Sequence, residues 1–401
     1  MFGSNNFPYC LSGSRVYTMA GFKGIVVLVV VASLAGASPV RDDDELKAVV
    51  VLFRHGDRTP LSSWPNDEYF ENATLFPEGN GQLINLGKER HFELGQWFRE
   101  RYDGFLPKKY HYSKIYVQST DVDRTLQSAA SNLAGLFPPE EEQVWNKNLL
   151  WQPVPIHTIP ESNDAILATT VPCDKHSSLR KELINSEEFQ KLNDKLAPLF
   201  QNISELTGYS NVDITTFAEL HSTIYIYREF NLTLKDWTDT YWEQISRMAA
   251  LDFQLDTYTQ DLARLKVGPF FDFLINHLKS LKTGALVPQR HIRGPKYQHL
   301  ELKAAGNQPF LMLSAHDSTV SDRLNAMGVY DDAAPEFAAT LIWELKNGSN
   351  GSYVNMYFKN STHFSKLTLP GCTFDCGFDD YVKLLEPISV SLSQWTKECK
   401  N

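Results

Sequence analysis

The residues best suited to chemistry in this chain stand in the stretch VVVLFRHGDRTP, residues 49–60. An apolar, β-branched run leads directly into Arg54, His55 and Arg58. A buried strand gains nothing from two like charges at its end, so the pattern indicates that these arginines bind an anion. A loop in which the arginines form salt bridges with Asp57 is the alternative interpretation.

A second candidate, Arg124, follows a predicted strand at 113–120 (SKIYVQST). The next residues, 121–137, have the apolar spacing of a helix, with Thr120 as the expected N-cap. Arg124 then falls in the first turn, where the helix dipole disfavours a cation. An anion bound there would make the arrangement favourable, whereas a solvent-exposed arginine is the alternative interpretation.

A third candidate pair, His316 and Asp317, stands in QPFLMLSAHDSTV, 308–320, which is predicted to be a strand ending in polar residues. Taken alone, a His-Asp pair at a strand end is more often a turn or a cap. The pair becomes a candidate for catalysis because it accompanies the first motif. The other nine histidines, including His157, His221 and His299, are predicted to be structural.

Strands and helices that could position these residues alternate in the first third of the chain. Residues 47–54 are predicted to be a buried strand and 84–102 a helix. The β character returns after Pro288, where a hairpin about Gly348 and Gly351 is expected. These patterns favour an α/β fold in which ligands bind beyond the carboxyl ends of the strands.

Residues from about 151 to 285 have a different, helical character. Helices are predicted at 181–200, 214–228 and 238–281. We therefore expect a mixed-sheet α/β core flanked by helices and built from 45–150 and 289–401. A mainly α-helical domain, 151–288, is predicted to be inserted into it.

Residues 1–37 are predicted to be a secretory signal peptide, with Met1 or Met19 as the start. An uncleaved signal anchor is the alternative. Six sequons agree with the secretory pathway and begin at Asn72, Asn202, Asn231, Asn347, Asn350 and Asn360. No second apolar run anchors the C-terminal end.

The formal net charge of −10 argues against nucleic acid and anionic membranes as partners.

Cysteine usage also fits an oxidising compartment. Cleavage of the signal removes Cys10 and leaves an even number of cysteines. Turn-forming residues flank Cys372 and Cys376, which are expected to close a small loop, so that Cys173 and Cys399 form the other disulfide. A metal site is the alternative, but no histidine stands near them at a zinc-binding spacing.

The motifs together resemble those of the histidine acid phosphatases, most closely the branch of the prostatic, lysosomal and insect venom enzymes. The resemblance extends from Lys47 to Cys399 and rests on RHGDRTP, TDVDRTLQSA, WQPVPIHT, SAHDSTV, LPGCTFDC and a terminal EC. It implies an α/β core with an inserted helical domain, a homodimer, and no metal or other cofactor. Gln118 departs from the vertebrate pattern, which has an arginine there, and a third disulfide common in the branch is absent.

The resemblance implies a role for each candidate. His55 would be the nucleophile that forms a phosphohistidine, and Asp317 the acid that protonates the leaving alcohol. The phosphate would be bound by Arg54, Arg58, Arg124 and His316. Guanidinium groups match phosphoryl oxygens, and phosphoryl transfer depends mainly on positioning and on charge stabilisation.

Acid activity places opposite demands on the two catalytic groups. We expect the neighbouring cations to lower the pKa of His55, which keeps it neutral and nucleophilic in acid. Asp317 must hold a proton, and burial beside an anionic phosphate is expected to raise its pKa.

The sequence thus predicts an acid phosphatase that hydrolyses phosphate monoesters, with phosphoproteins or phospholipids among the substrates considered. Its predicted destination is outside the cell or the lysosomal lumen, without a stable membrane anchor. A phytase or lipid phosphatase of the same superfamily is one alternative. A non-catalytic secreted phosphate-binding or allergen-type protein on the same fold is the other.

Overall fold

The structure is a computed structural model and describes residues 44–168, 170–285 and 306–400. Within these residues the chain forms one sheet and a set of surrounding helices. The strands are β1 (Glu45–Arg54), β2 (Ile115–Thr120), β3 (His157–Ile159), β4 (Phe310–Ala315), β5 (Thr340–Gly348), β6 (Gly351–Lys359), β7 (Phe364–Leu367) and β8 (Cys376–Gly377).

The helices fall into a group that follows the strands in the first and last parts of the chain and a group between them. The first group contains α1 (Asn85–Arg101), α2 (Asp123–Leu136), α9 (Asp317–Ala326), α10 (Phe378–Leu385) and α11 (Leu392–Glu398). The second contains α3 (Asp174–Ile184), α4 (Glu187–Thr207), α5 (Phe217–Glu229), α6 (Trp237–Thr240), α7 (Trp242–Leu255) and α8 (Gln260–Thr283).

The sheet is mixed, in the order β3-β2-β4-β1-β5-β6-β7, with β8 paired to β6. The four strands from β3 to β1 are parallel, so their carboxyl ends lie at one edge. The antiparallel β5–β6 pair turns between Gly348 and Gly351, which confirms the predicted hairpin. The predicted fold class, a mixed α/β sheet flanked by helices, is also confirmed.

The central strand β1 is apolar along its length because helices cover both faces of the sheet. Val50 and Leu52 pack with residues of α8, α9 and α10 on one face. Val51 and Phe53 pack with residues of α1 and α2 on the other. All four side chains are fully buried, which explains why the sequence shows a continuous apolar run instead of alternation.

Glycines bring α1 and α2 into close contact behind the sheet. A Cβ atom on Gly95 would lie 2.0 Å from the carbonyl oxygen of Asn132. A Cβ atom on Gly135 would lie 2.1 Å from that of Phe92. The two helices therefore form a compact support for the ends of β1 and β2.

The structure corrects three details of the predicted elements. The strand expected at 308–320 ends at Ala315, and Asp317 begins α9. The helix expected at 238–281 is interrupted before α8, because the Thr259 hydroxyl accepts a hydrogen bond from Leu262 and caps a new helix. Thr120 is the last residue of β2 and not an N-cap; that position belongs to Val122.

The region 151–288 includes β3 as well as the six helices α3–α8. Residues of α5 and α7 form an apolar cluster with Trp64 and Phe76, which lie in the long loop between β1 and α1. The division into the core segments 45–150 and 289–401 and the insertion 151–288 stays a prediction.

The structure contains both expected disulfides, Cys173–Cys399 and Cys372–Cys376. Of the sequon asparagines, four are exposed and two, Asn347 and Asn360, are half-buried. The predicted signal peptide lies outside the described residues. Within the part of the chain that the structure describes, no helix combines the length and apolarity needed to cross a membrane.

Candidate active site

The carboxyl ends of β1, β2 and β4 bring the residues predicted from separate segments together. Arg54 is in register with Ala315 at the ends of β1 and β4, and the His55 amide donates a hydrogen bond to the Ala315 carbonyl at 2.9 Å. The Thr120 hydroxyl at the end of β2 is 3.0 Å from His316 Nε2. All three strand ends therefore contribute to one site.

His55 is 2% exposed and its ring has a defined orientation. Its Nδ1 lies 2.8 Å from the carbonyl oxygen of Gly56, which can only accept a hydrogen bond, so Nδ1 carries the proton. Nε2 is left with a lone pair. Burial first, and then the charges of Arg54 and Arg124, hold the pKa of His55 well below its ordinary value. The predicted direction is confirmed, with burial as the larger cause.

Arg54 is held by contacts on several sides. One terminal nitrogen donates to the Pro335 carbonyl at 2.6 Å, and the other lies 2.8 Å from Asp317 Oδ2. The guanidinium also lies 4.1 Å from the ring centroid of Phe337. Such contacts fix a planar donor group before any ligand arrives.

Three of the buried arginine donors that have no partner among the described residues belong to this site. They are the Nε atoms of Arg54, Arg58 and Arg124. Buried N–H groups of charged side chains are costly to leave without an acceptor. Three of them at one site indicate an anionic ligand with several acceptor oxygens.

Arg58 and Arg124 are oriented by neighbours from different parts of the chain. Arg58 donates to the Ser222 hydroxyl on α5 at 3.1 Å. Burial and then the charge of Arg54 lower the pKa of Arg58 to about 9, so it remains protonated in acid. Arg124 lies 3.3 Å from His316 Nδ1. That nitrogen must be the acceptor, so Nε2 of His316 is the one that donates to Thr120.

Asp57 does not pair with the arginines of its own motif. Its carboxylate instead accepts two hydrogen bonds from Arg90 on α1, at 2.7 and 3.1 Å. The salt-bridged loop considered from the sequence is therefore wrong, and Arg54 and Arg58 keep their charge for the site. Gly56 permits this turn to approach α1, since a Cβ atom there would lie 2.4 Å from the Gly87 carbonyl oxygen.

Burial and charged neighbours shift the pKa of Asp317 in opposite directions. Burial raises its pKa, but the charges of Arg54 and Arg58 and a hydrogen bond from the Ser318 amide outweigh that effect. The pKa of Asp317 therefore lies below its ordinary value. The sequence did not reveal the direct Arg54–Asp317 ion pair, and the rise expected beside a bound phosphate stays a prediction.

A cavity of about 450 Å³ opens beside Arg54 and Asp317. Helices α5 and α7 and the segment 332–337 form its walls. Its size suits a small organic ligand. A larger cavity of about 590 Å³ lies near Cys173. We assign the ligand to the smaller one because it adjoins the candidate residues, whereas Arg180 and Lys266 of the larger one are paired with Asp256.

Sequence reasoning missed several residues of the site. His221, Ser222 and Phe337 all line the smaller cavity, yet only tertiary folding brings them to the β1 turn. His91 on α1 is fully buried, and its Nε2 lies 3.1 Å from the Arg54 carbonyl oxygen. Helical periodicity assigns such residues to a face but does not identify the neighbouring element.

Comparison with known proteins agrees with the geometry. Residues 45–359 match the family described as the histidine phosphatase superfamily, branch 2. The chain is 35% identical over 364 residues to prostatic acid phosphatase of Bos taurus, covering 88% of each chain. It is 33% identical to lysosomal acid phosphatase of Xenopus laevis, covering 94% of this chain and 84% of the relative.

Solved structures agree on the fold. The phytase of Citrobacter braakii has a TM-score of 0.63 and 16% sequence identity, covering 88% of this chain and 99% of the phytase. A Hafnia alvei phytase in complex with tartrate also has a TM-score of 0.63, covering 86% and 98% of the two chains. The site, the matched family and the relatives lead to one assignment: this chain belongs to the histidine phosphatase superfamily, branch 2.

Proposed function

We propose that this protein is an acid phosphatase that hydrolyses phosphate monoesters through a phosphohistidine on His55. The observation that carries the proposal is the lone pair of His55 Nε2 in a site that also contains three arginines with unpartnered buried donors. The acid phosphatases among the relatives support the reaction class. The superfamily membership supports a hydrolase rather than a binding protein.

In the first proposed step, Nε2 of His55 attacks phosphorus. The N–P bond forms while the P–O ester bond breaks, and the leaving alkoxide takes a proton from Asp317. In the second step, Asp317 accepts a proton from water as the water oxygen attacks phosphorus. The N–P bond then breaks, and inorganic phosphate leaves.

Arg54, Arg58 and Arg124 stabilise the charge on the phosphoryl oxygens in both steps, and His316 assists by accepting a hydrogen bond from Arg124 and so orienting its guanidinium. Fixed donors aimed at developing charge are a large source of catalysis. The arginines supply the positive charge that a divalent cation supplies in other phosphoryl-transfer enzymes, so we propose no cofactor.

The proton that Asp317 delivers must come from outside the resting site, since its pKa is lowered there. A phosphate monoester has a second pKa of about 6, so in acid the substrate is largely a monoanion. We propose that the monoanion brings this proton. As the phosphate takes Arg54, it also removes the counter-ion that keeps Asp317 ionised.

The charges of the cavity favour simple monoesters over phytate. Beyond Arg54 and Asp317, its charged residues are Glu243, Arg247, Asp332 and Glu336, and Arg247 lies 2.5 Å from Glu243. A substrate with many phosphates would need a cavity with net positive charge, whereas carboxylates predominate here. Phytases share this fold, but we do not propose phytate as a substrate of this protein.

We further propose that the protein travels through the secretory pathway, to the outside of the cell or to the lysosomal lumen. The names of the prostatic and lysosomal relatives and the two disulfides support this destination. Glycosylation and the homodimer remain predictions.

A rapid-quench experiment at about pH 5 tests the proposal, with a ³²P-labelled aryl phosphate and EDTA present. We expect acid-labile label on the wild type and on the exposed-surface control His111→Ala, but none on His55→Ala. Turnover by His55→Ala would contradict the mechanism. Absence of hydrolysis by the wild type between about pH 4 and 7 would favour a non-catalytic phosphate-binding protein.

A further inference from the structure

The cavity beside Asp317 lies on the side of the proposed proton donor, where the leaving alcohol must be. Most of its wall is apolar, formed by side chains such as Tyr225, Trp242 and Phe337. Polar side chains within such a wall decide which ligands fit, because each must be satisfied by the ligand or by water. Two of its polar groups, on different helices, have no hydrogen-bond partner among the described residues and carry the inference.

The first is the imidazole of His221 on α5. Its ring stacks on Trp242 with 4.6 Å between centroids and 16° between planes, while Arg228 lies 4.0 Å from the centroid of Trp242. These contacts hold the ring plane. No hydrogen bond from the described part of the chain reaches either ring nitrogen, so one donor and one acceptor remain available.

Burial and neighbouring positive charges keep this imidazole neutral at pH values above its lowered pKa. Burial, and then the charges of Arg54 and Arg228, lower the pKa of His221 to about 4. A neutral imidazole can donate to one hydroxyl and accept from another. It offers no charge with which to attract a second phosphate.

The second group is the hydroxyl of Ser246 on α7. Its oxygen is buried, lacks a partner among the described residues and belongs to a residue lining the same cavity. Ser246 and His221 come from different helices, so both walls contribute a hydrogen-bonding group. Ser222, in contrast, already receives a hydrogen bond from Arg58.

The charges around the cavity limit the ligand further. Glu336 and Asp332 are carboxylates at the wall, and Glu243 is paired with Arg247. An anionic leaving group would meet net negative charge. An uncharged leaving group avoids this repulsion, and a compact one fits the cavity of about 450 Å³.

We propose that His221 and Ser246 bind hydroxyl groups of the leaving alcohol, so that this enzyme prefers phosphate monoesters of compact, uncharged, hydroxylated alcohols. This inference rests on the proposed phosphatase function. A site that hydrogen-bonds a substrate hydroxyl discriminates against an analogue lacking it, because its own polar groups are then left without partners.

A matched pair of esters tests this selectivity. Glycerol 2-phosphate and isopropyl phosphate share a carbon skeleton at the ester, and only the first has further hydroxyls. We expect the ratio of their kcat/KM values to fall by about 5- to 10-fold in His221→Phe, which keeps a ring for stacking on Trp242. Since each variant is compared with the wild type on the same esters, intrinsic differences in ester reactivity cancel.

Ser246→Ala provides an independent variant, with an expected fall in the same ratio of about 3-fold or more. His111→Phe, at an exposed position, is the control and should keep the wild-type ratio. Thermal melting establishes that each variant is folded. If His221→Phe does not fold, Ser246→Ala decides alone.

The outcomes separate the two proposals. If the wild type hydrolyses both esters and both folded variants keep its ratio, the leaving-group assignment is overturned while the phosphatase function stands. If the wild type hydrolyses neither ester nor an aryl phosphate, the proposed function itself fails. A selective loss for glycerol 2-phosphate supports the assignment.

Discussion

The carboxylate of Asp317 lies 2.8 Å from the guanidinium of Arg54, so the proposed proton donor is ion-paired with a proposed phosphate ligand. The pairing holds Asp317 in its ionised form before substrate binds. A phosphate that binds Arg54 competes with this carboxylate. Substrate binding and readiness for proton transfer are thereby coupled through one arginine.

Replacing Asp317 by asparagine should affect substrates according to their leaving group. We expect kcat/KM for an alkyl phosphate to fall by about 10²–10⁴, since an alkoxide cannot leave without a proton. The loss for p-nitrophenyl phosphate should be much smaller, because its phenolate is a stable leaving group. Steady-state kinetics with both esters measure the difference, and equal losses would contradict the role of proton donor.

The pH dependence should reflect the substrate as well as the enzyme. His55 stays neutral well below its ordinary pKa, so activity should persist in acid. Above about pH 6 the dianionic ester replaces the monoanion, and kcat/KM should decline. The pH profiles of kcat/KM for two esters with different second pKa values test whether the substrate causes this decline. The decline should move with the ester; a decline fixed at one pH would assign it to an enzyme group.

Asp322 on α9 should make the fold more stable in acid than at neutral pH. It is 2% exposed, and burial is the main cause that raises its pKa to about 7. The folded state thus binds this proton more tightly than the unfolded state, where the pKa is about 3.9. Its contribution is complete below about pH 4 and is lost as the pH rises towards about 7.

Asp322→Asn removes this titration. Melting temperatures between about pH 4 and 8 should therefore fall less steeply in the variant than in the wild type. Asp194→Asn, at an exposed position on α4, is the control and should keep the wild-type slope. An unchanged slope in Asp322→Asn would contradict the assignment.

Gly56→Ala should disrupt the turn that contains His55. The new Cβ atom would lie 2.4 Å from the Gly87 carbonyl oxygen, and this backbone contact can be relieved only by moving the turn away from α1. We expect a destabilisation of about 1–3 kcal/mol together with a large loss of kcat. Denaturant melts and kinetics measure both.

Gly377→Ala is the matched control, because its Cβ atom would meet only the Asp380 side chain, at 3.3 Å. A Gly56→Ala enzyme with normal activity would show that the close approach is not required.

The two disulfides should contribute unequally to stability. Cys173 and Cys399 are 226 residues apart, whereas Cys372 and Cys376 are separated by 4. Loop entropy predicts about 5 kcal/mol for the first pair and about 2 kcal/mol for the second. Double alanine variants of each pair, compared by urea unfolding, test the order. The reverse order would indicate that the loop-entropy account fails here.

The arrangement of Arg54, His55 and Arg124 was predictable because strong local patterns agree with the rules of parallel sheets. The apolar run before Arg54 indicates a strand, and the carboxyl ends of parallel strands meet at one edge. The residue types then indicate an anion site. These inferences need no knowledge of side-chain contacts.

The start of α9 was harder to predict, since Thr319 and Val320 have strand propensity and extend the apparent run. In the structure the Thr319 hydroxyl bonds to the Leu167 carbonyl, a contact across 152 residues that no local pattern encodes. His221 was missed for the same reason. Long-range neighbours decide these positions, and the single sequence carries no signal of them.

The hydrogen bond from His55 Nδ1 to the carbonyl of Gly56 has a consequence for genetics. In many hydrolases a side-chain carboxylate orients the catalytic histidine and can be removed by one codon change. Here a main-chain oxygen has that task, and every amino acid supplies one. Substitutions at Gly56 should therefore reveal its crowding against Gly87, while the carbonyl that orients the proposed nucleophile is present in every variant.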